Sequence, residues 1–227
     1  MDIRLYYTES GEGDTLILLH GNGDSHEYFA AQTEFFSEYR RVIAIDTRGH
    51  GRSPMGTEPF KLATFADDLY AFLWRHNITK TDILGFSDGG NIALLFALKY
   101  PSYVRKLILN GANLRFSGLT LKTGAEILAS YIKFCALAPF SRDAAKKKAL
   151  YRLMVAEPKI DPAELHAITA PTLVIVGDKD MIRLSHSRLI ADSIPRARLV
   201  VLPGDHFIAQ KNPEEFNRVV SEFLESR

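Results

Sequence analysis

Residues 81–90 read Thr-Asp-Ile-Leu-Gly-Phe-Ser-Asp-Gly-Gly, and the order of residue types in this stretch decides the fold. Residues 81–84 form a short, largely apolar run of the kind that makes a buried strand. Residues 91–100 (NIALLFALKY) are strong helix formers and stop at Pro101. Between them lies Gly85-Phe86-Ser87-Asp88-Gly89, a G-x-S-x-G turn. A serine on so sharp a strand-to-helix turn has a strained backbone, and the residues two away on either side must be small. Glycines stand at both places. Such a turn lifts the hydroxyl of Ser87 above a sheet, at a helix N-terminus where developing negative charge is favoured. A nucleophilic serine is the expectation.

Working outward, similar apolar runs recur at residues 15–19 (TLILL), 41–45 (RVIAI), 106–109, 172–176 and 198–202. Their near-continuous apolar character suits strands covered on both faces. Residues 3–7 alternate less clearly and read as a first edge strand. Helical patterns fill most gaps. Phe65, Leu69, Phe72 and Leu73 share one helix face, and Thr64 with Asp67 resembles a capping box. Pro213, Glu214 and Glu215 open a last helix with a face of Phe216, Val219, Val220, Phe223 and Leu224. This alternation predicts an α/β fold, a doubly wound and mostly parallel sheet of about seven strands. One gap of about sixty residues separates the run at 106–109 from that at 172–176, far longer than an ordinary connection. It contains apolar helical pieces: Ile127, Leu128, Tyr131, Ile132 and Cys135, then Ala149, Leu150, Leu153 and Met154. Residues 114–169 are therefore expected to form a small helical cap inserted into a core of residues 1–113 and 170–227.

The 227 residues are 46% hydrophobic and 24% charged, with a formal net charge of +1. That balance gives no sign of a nucleic-acid surface, and the expected partner is a small-molecule substrate, with no nucleic acid and no membrane. The lone Cys135 cannot form an internal disulfide. The first residues lack the apolar segment of a signal peptide, and no run reaches the length of a membrane span. A cytoplasmic monomer or homodimer is expected. The run of Lys146 to Lys148 reads as a solvated helix face.

A serine hydroxyl is a weak nucleophile without a base. Of seven histidines, His206 is the best candidate, because it follows the run at 198–202 on the turn Pro203-Gly204-Asp205. It should sit at the same sheet edge as Ser87. The base needs a carboxylate to fix its tautomer. Gly177-Asp178-Lys179-Asp180 follows another strand, and either aspartate could serve; Asp180 reaches further toward the next loop, while Asp178 also reads as a turn residue. The chain order Ser87, Asp180, His206 fits this kind of fold. An oxyanion hole requires two backbone N–H groups. Asp88 supplies one, and the loop His20-Gly21-Asn22-Gly23 supplies the other through Asn22. Asp46-Thr47-Arg48-Gly49-His50-Gly51-Arg52-Ser53 reads as a loop fixed by an Asp–Arg pair, without chemistry of its own.

Together these five motifs, in this order, resemble the α/β-hydrolase family over nearly the whole chain. The resemblance implies the fold, the triad and the absence of a cofactor, and it adds weight to Asp180 over Asp178. Asp178, Asp180 and His206 are metal-ligand types, but no ligand spacing supports a metal site. The segments Gly85-Phe-Ser-Asp-Gly-Gly, Lys99-Tyr-Pro-Ser-Tyr-Val and Asn110-Gly-Ala-Asn are similar to the biphenyl-hydrolase-like serine hydrolases. That group includes enzymes of α-amino acid esters, in which the aspartate after the nucleophile receives the substrate's amino group. Asp88 holds the matching place, although an acidic residue in a first helical turn is also favourable by itself. The cap is shorter here than in that group.

The expected activity is hydrolysis of a small carboxylic ester, with an aminoacyl ester as one form, through an acyl-enzyme. C–C bond hydrolysis or lactone opening would use the same triad. A non-catalytic binding protein on the same fold is the alternative of another class, against which stands a complete set of triad residues.

Overall fold

In the computed structural model, which describes residues 2–226, the elements follow one another as the alternation requires. In chain order they are β1 (Tyr7–Ser10), β2 (Thr15–Leu19), α1 (Ala30–Phe36), β3 (Arg41–Ile45), α2 (Leu62–Arg75), β4 (Thr81–Phe86), α3 (Asp88–Lys99), β5 (Val104–Asn110), α4 (Leu121–Leu137), α5 (Arg142–Ala156), β6 (Thr172–Gly177), α6 (Leu184–Ser193), β7 (Ala197–Leu202), α7 (Ile208–Lys211) and α8 (Pro213–Glu225). The seven strands make one sheet in the order β1-β3-β2-β4-β5-β6-β7. Only β1 runs antiparallel to its neighbour.

The apolar runs are continuous because both sheet faces are covered. Ile17, Leu19, Ile43, Ile45, Leu107, Leu109, Val174 and Val176 meet α2, α3 and α6 on one face. Their neighbours Leu16, Leu18, Val42, Ala44, Ile108, Leu173 and Ile175 meet α1 and α8 on the other. Successive side chains alternate between faces, so a strand buried twice must be apolar at every position.

The chain leaves β2 for β3 on one side and returns to β4 on the other side of β2. That reversal opens a crevice at the carboxyl ends of β2 and β4, where open α/β sheets bind ligands. Two local expectations need correction. The edge strand is Tyr7–Ser10 rather than residues 3–7, because its ladder with β3 pairs Tyr7 with Ile45 and Ser10 with Val42. Helix α2 begins at Leu62, ahead of the Thr64–Asp67 pair. Its first amide, Leu62 N–H, donates to Glu157 Oε2 at 2.7 Å, and Asp67 instead accepts from Lys99 and Tyr100.

Helices α4 and α5 lie between β5 and β6 and pack on each other. They rest on a small cluster of their own, Leu119, Ile127 and Ile182 with Phe116, Tyr151, Met154, Val155 and Met181. Entry and exit of the segment meet where Ile160 N–H donates to Leu114 O at 3.0 Å.

Candidate active site

Ser87 stands between β4 and α3 with φ 52° and ψ −119°, a backbone that non-glycine residues rarely adopt. The turn is held by Ser87 N–H, which donates to Asn110 O at 2.8 Å. Neither flanking glycine can be replaced without a collision. A Cβ at Gly85 would lie 2.4 Å from Gly89 O, and one at Gly89 would lie 2.0 Å from Leu19 O. The strain therefore rests on close approach of three backbones, which only glycine permits.

His206 follows β7 and is buried, with its ring 4.8 Å from that of Phe86. Its Nδ1–H donates to Asp180 Oδ1 at 2.7 Å, and Asp180 Oδ1 also accepts from Ile182 N–H at 2.8 Å. This pairing leaves the lone pair of Nε2 free to take a proton. Gly111 backs the imidazole so closely that a Cβ there would lie 2.7 Å from His206 Cε1. Asn110, which accepts from Ser87 N–H, is the residue before it, so the elbow and the imidazole share one support. Among the described residues no hydrogen bond joins Ser87 Oγ to His206; catalytic bonds of this kind commonly tighten only when substrate binds. Asp178 does not reach the imidazole; its Oδ1 accepts from Gly204 N–H at 2.8 Å, across the neighbouring loop.

The loop after β2 is fixed by His20, whose Nδ1–H donates to Gly21 O at 2.7 Å and whose Nε2 accepts from Thr47 N–H at 3.0 Å. Burial, with the neighbouring His50, pushes the His20 pKa down to about 4, as a ring that must keep an unprotonated Nε2 requires. Gly21 packs against Phe86 and Ser87, bringing Asn22 beside the elbow. The Asn22 side chain donates to Asp88 Oδ2 at 2.9 Å and to Leu150 O of α5 at 3.2 Å. Asp88 is buried, and its other carboxylate oxygen accepts from Asn91 Nδ2 at 3.0 Å. Burial raises the Asp88 pKa, and the amides of Asn22 and Asn91 oppose that rise.

Two members of this network escape a sequence reading. Asn91 Nδ2 also donates to Asn113 Oδ1 at 3.0 Å, and Asn113 N–H donates to Asn91 Oδ1 at 2.8 Å. Elbow, the loop after β2, α5 and the start of the inserted segment are thus tied by side-chain amides. The available signal was an asparagine inside an otherwise apolar helical run. The segment around Asp46 is a loop fastener, but through other partners than an Asp–Arg pair. Asp46 accepts from His26 N–H and Nδ1 and from Arg52 N–H, at 2.7, 2.8 and 2.8 Å. Arg48 is fully buried and forks onto Asp68 with two bonds of 2.7 Å.

A cavity of about 610 Å³ opens beside Asn22 and Gly23 and is walled by α4 and α5 through Ile127, Phe134, Leu150 and Met154. Glu126 and Lys147 are its charged residues. A groove of about 670 Å³ lies on the other side of α5, against α2. It holds Arg152 and reaches none of the elbow, the His206 turn or the loop after β2, whereas the first cavity reaches that loop, beside the elbow, through Asn22 and Gly23. Among the described residues no group of three His, Cys, Asp or Glu side chains has metal-holding geometry.

The model of the alpha/beta hydrolase fold family matches residues 14–156. Serine hydrolase BPHL of Mus musculus is 28% identical, over 98% of this chain and 84% of that protein. A putative carbamate hydrolase, RutD of Caulobacter sp. strain K31, is also 28% identical, over 95% of this chain and 92% of that protein. The solved structure of Est816, described as an N-acyl homoserine lactone degrading enzyme, superposes with a TM-score of 0.77 at 27% identity, over 97% of each chain.

Proposed function

Because the chain belongs to the alpha/beta hydrolase fold family and is a serine hydrolase, we propose that it cleaves small carboxylic esters through an acyl-enzyme on Ser87. In this reading His206 is the base and Asp180 orients it. His206 Nε2 takes the Ser87 Oγ proton as that oxygen bonds to the substrate carbonyl carbon. The N–H groups of Asn22 and Asp88 receive the oxyanion. The tetrahedral intermediate then collapses, and His206 passes its proton to the departing alkoxide. Water attacks the acyl carbonyl carbon with His206 again as base; the second tetrahedral intermediate collapses, His206 returns the proton to Ser87 Oγ, and the carboxylic acid leaves.

The observation that supports this most is the pairing of a buried imidazole to a buried carboxylate at 2.7 Å, beside a serine held at positive φ. No structural role calls for that combination. A fluorophosphonate probe should label the wild-type chain on Ser87 and leave folded Ser87→Ala unlabelled. An unlabelled, folded wild-type chain would refute the reading and favour a binding protein on the same fold.

The similarity to a lactone-degrading enzyme and a putative carbamate hydrolase favours a second reading, in which the same residues open a lactone or cleave a carbamate. A panel of alkyl esters, aminoacyl esters, acyl lactones and carbamates separates these. Asp88 is the proposed receiver of a substrate amine: it directly follows the nucleophile, and each of its oxygens retains a lone pair beyond the Asn22 and Asn91 bonds.

A further inference from the structure

The groove between α5 and α2 lies outside the machinery at Ser87, and its charge is unbalanced. Lys61, Lys148, Arg152 and Lys159 line it, against one carboxylate, Glu157. The four cations come from three segments: the approach to α2, helix α5 and the chain just past α5. Glu157 is already engaged. Its Oε2 accepts from Leu62 N–H at 2.7 Å, where the positive end of α2 offsets its charge. The same bond draws together the segments bearing Lys61 and Lys159. Lys147 on α5 pairs with Asp143 at 2.9 Å, but among the described residues the four groove cations have no carboxylate within 4.0 Å.

Lys148 and Arg152 stand one helical turn apart, a spacing at which like charges repel. Of the run Lys146 to Lys148, the first two are exposed and Lys148 is half-buried, so the run is not simply a solvated face. Phe60, Leu95 and Leu153 give the groove an apolar wall. A concavity of about 670 Å³ suits a small molecule rather than a macromolecular face. Four cations and one carboxylate leave a net charge of +3. A phosphate monoester brings about −1.5 to −2, and a second phosphate adds about one charge more in the same compact group. Its oxygens suit the planar fork of Arg152 and the point charges of the lysines.

We propose that this groove binds a small organic diphosphate, with its phosphates on Lys61, Lys148, Arg152 and Lys159 and its uncharged part on the apolar wall. Helix α5 separates the site from the cavity beside the elbow: Leu150 and Tyr151 line the cavity, Lys148 and Arg152 the groove. The two sides of one helix then serve different ligands.

The test reads binding and is independent of what Ser87 cleaves. The full chain is titrated calorimetrically at low salt with adenosine diphosphate, adenosine monophosphate and adenosine. The diphosphate is expected to bind about fivefold or more tighter than the monophosphate, adenosine to give no signal, and added salt to weaken binding. Lys148→Glu with Arg152→Glu should weaken diphosphate binding about tenfold or more. Lys122→Glu with Lys133→Glu makes a matching change of charge at exposed positions of α4, outside the groove. That variant should keep its affinity within about twofold of wild type. Cooperative thermal unfolding shows that both variants fold. Three results would overturn the proposal: no binding of the diphosphate at low salt, equal affinity for diphosphate and monophosphate, or equal affinities in the two double variants.

Discussion

Replacing Gly111 by alanine tests the assignment of the base without touching a reacting group. Gly111 has φ +62°, and an added Cβ would stand 2.7 Å from His206 Cε1 and 2.8 Å from Nδ1. Ordinary contact begins at 3.4 Å, so the ring must recede by about 0.7 Å. Phe86 lies on the imidazole at 4.8 Å, and the 2.7 Å bond to Asp180 tethers Nδ1, so the ring can recede only by tilting or by loosening that bond, and either displaces Nε2. A misplacement near 1 Å costs about a hundredfold in rate. The expected fall in kcat is about 30- to 100-fold, or 2 to 3 kcal/mol on the barrier. KM should change little, because the imidazole does not hold the substrate. The left-handed backbone itself costs alanine about 1 to 2 kcal/mol of stability. Gly13→Ala controls for that cost: its φ is +104°, its nearest neighbour lies at 3.4 Å, and it is far from the cavity. Steady-state hydrolysis of p-nitrophenyl acetate with thermal unfolding of both variants gives the answer. A folded Gly111→Ala with kcat within about twofold of wild type, or an equal loss in Gly13→Ala, would refute the reasoning.

Other outcomes follow from the same geometry. Asp180→Asn should keep the fold and lower kcat about 10³- to 10⁴-fold, read by single-turnover acylation. Asp88→Asn should slow aminoacyl esters about tenfold more than matched neutral esters if it receives an amine; equal slowing would leave it only the bonds to Asn22 and Asn91. Glu157→Ala removes the partner of the first α2 amide and should cost about 1 kcal/mol, lowering Tm by about 2 to 4 °C. His20, His50 and His186 are buried with pKa values pushed down to about 4, for His186 by burial and then by Arg115 and Arg183. The unfolded chain then binds more protons than the folded one between their ordinary 6.5 and about 4, so stability should be full above that window and fall through it on acidification. Urea unfolding at pH 7 and pH 5 should show the loss, and His186→Gln should shrink it.

Whatever depended on burial of a whole strand or on a short-range turn was legible in the sequence. The strands around Ile17, Ile43 and Ile108 announce themselves because both faces are covered, and the elbow because Gly85 and Gly89 stand at fixed offsets from Ser87. Features made by distant partners were not legible. The start of α2 is set by Glu157, ninety-five residues away. Arg48 chose Asp68, on α2, over the nearer Asp46. Ile127, Leu128 and Ile132 read as one apolar stripe, yet only Ile127 is buried. Periodicity says which side of a helix is apolar, not whether anything lies against it.

The hydrogen bond between Ile160 and Leu114 makes the segment between them a module. The chain departs and returns at one point, and α4 and α5 pack chiefly on each other. A different helical hairpin could be spliced between the same two residues while β5 and β6 kept their register. New substrate ranges are then open to recombination, with the catalytic frame left as inherited.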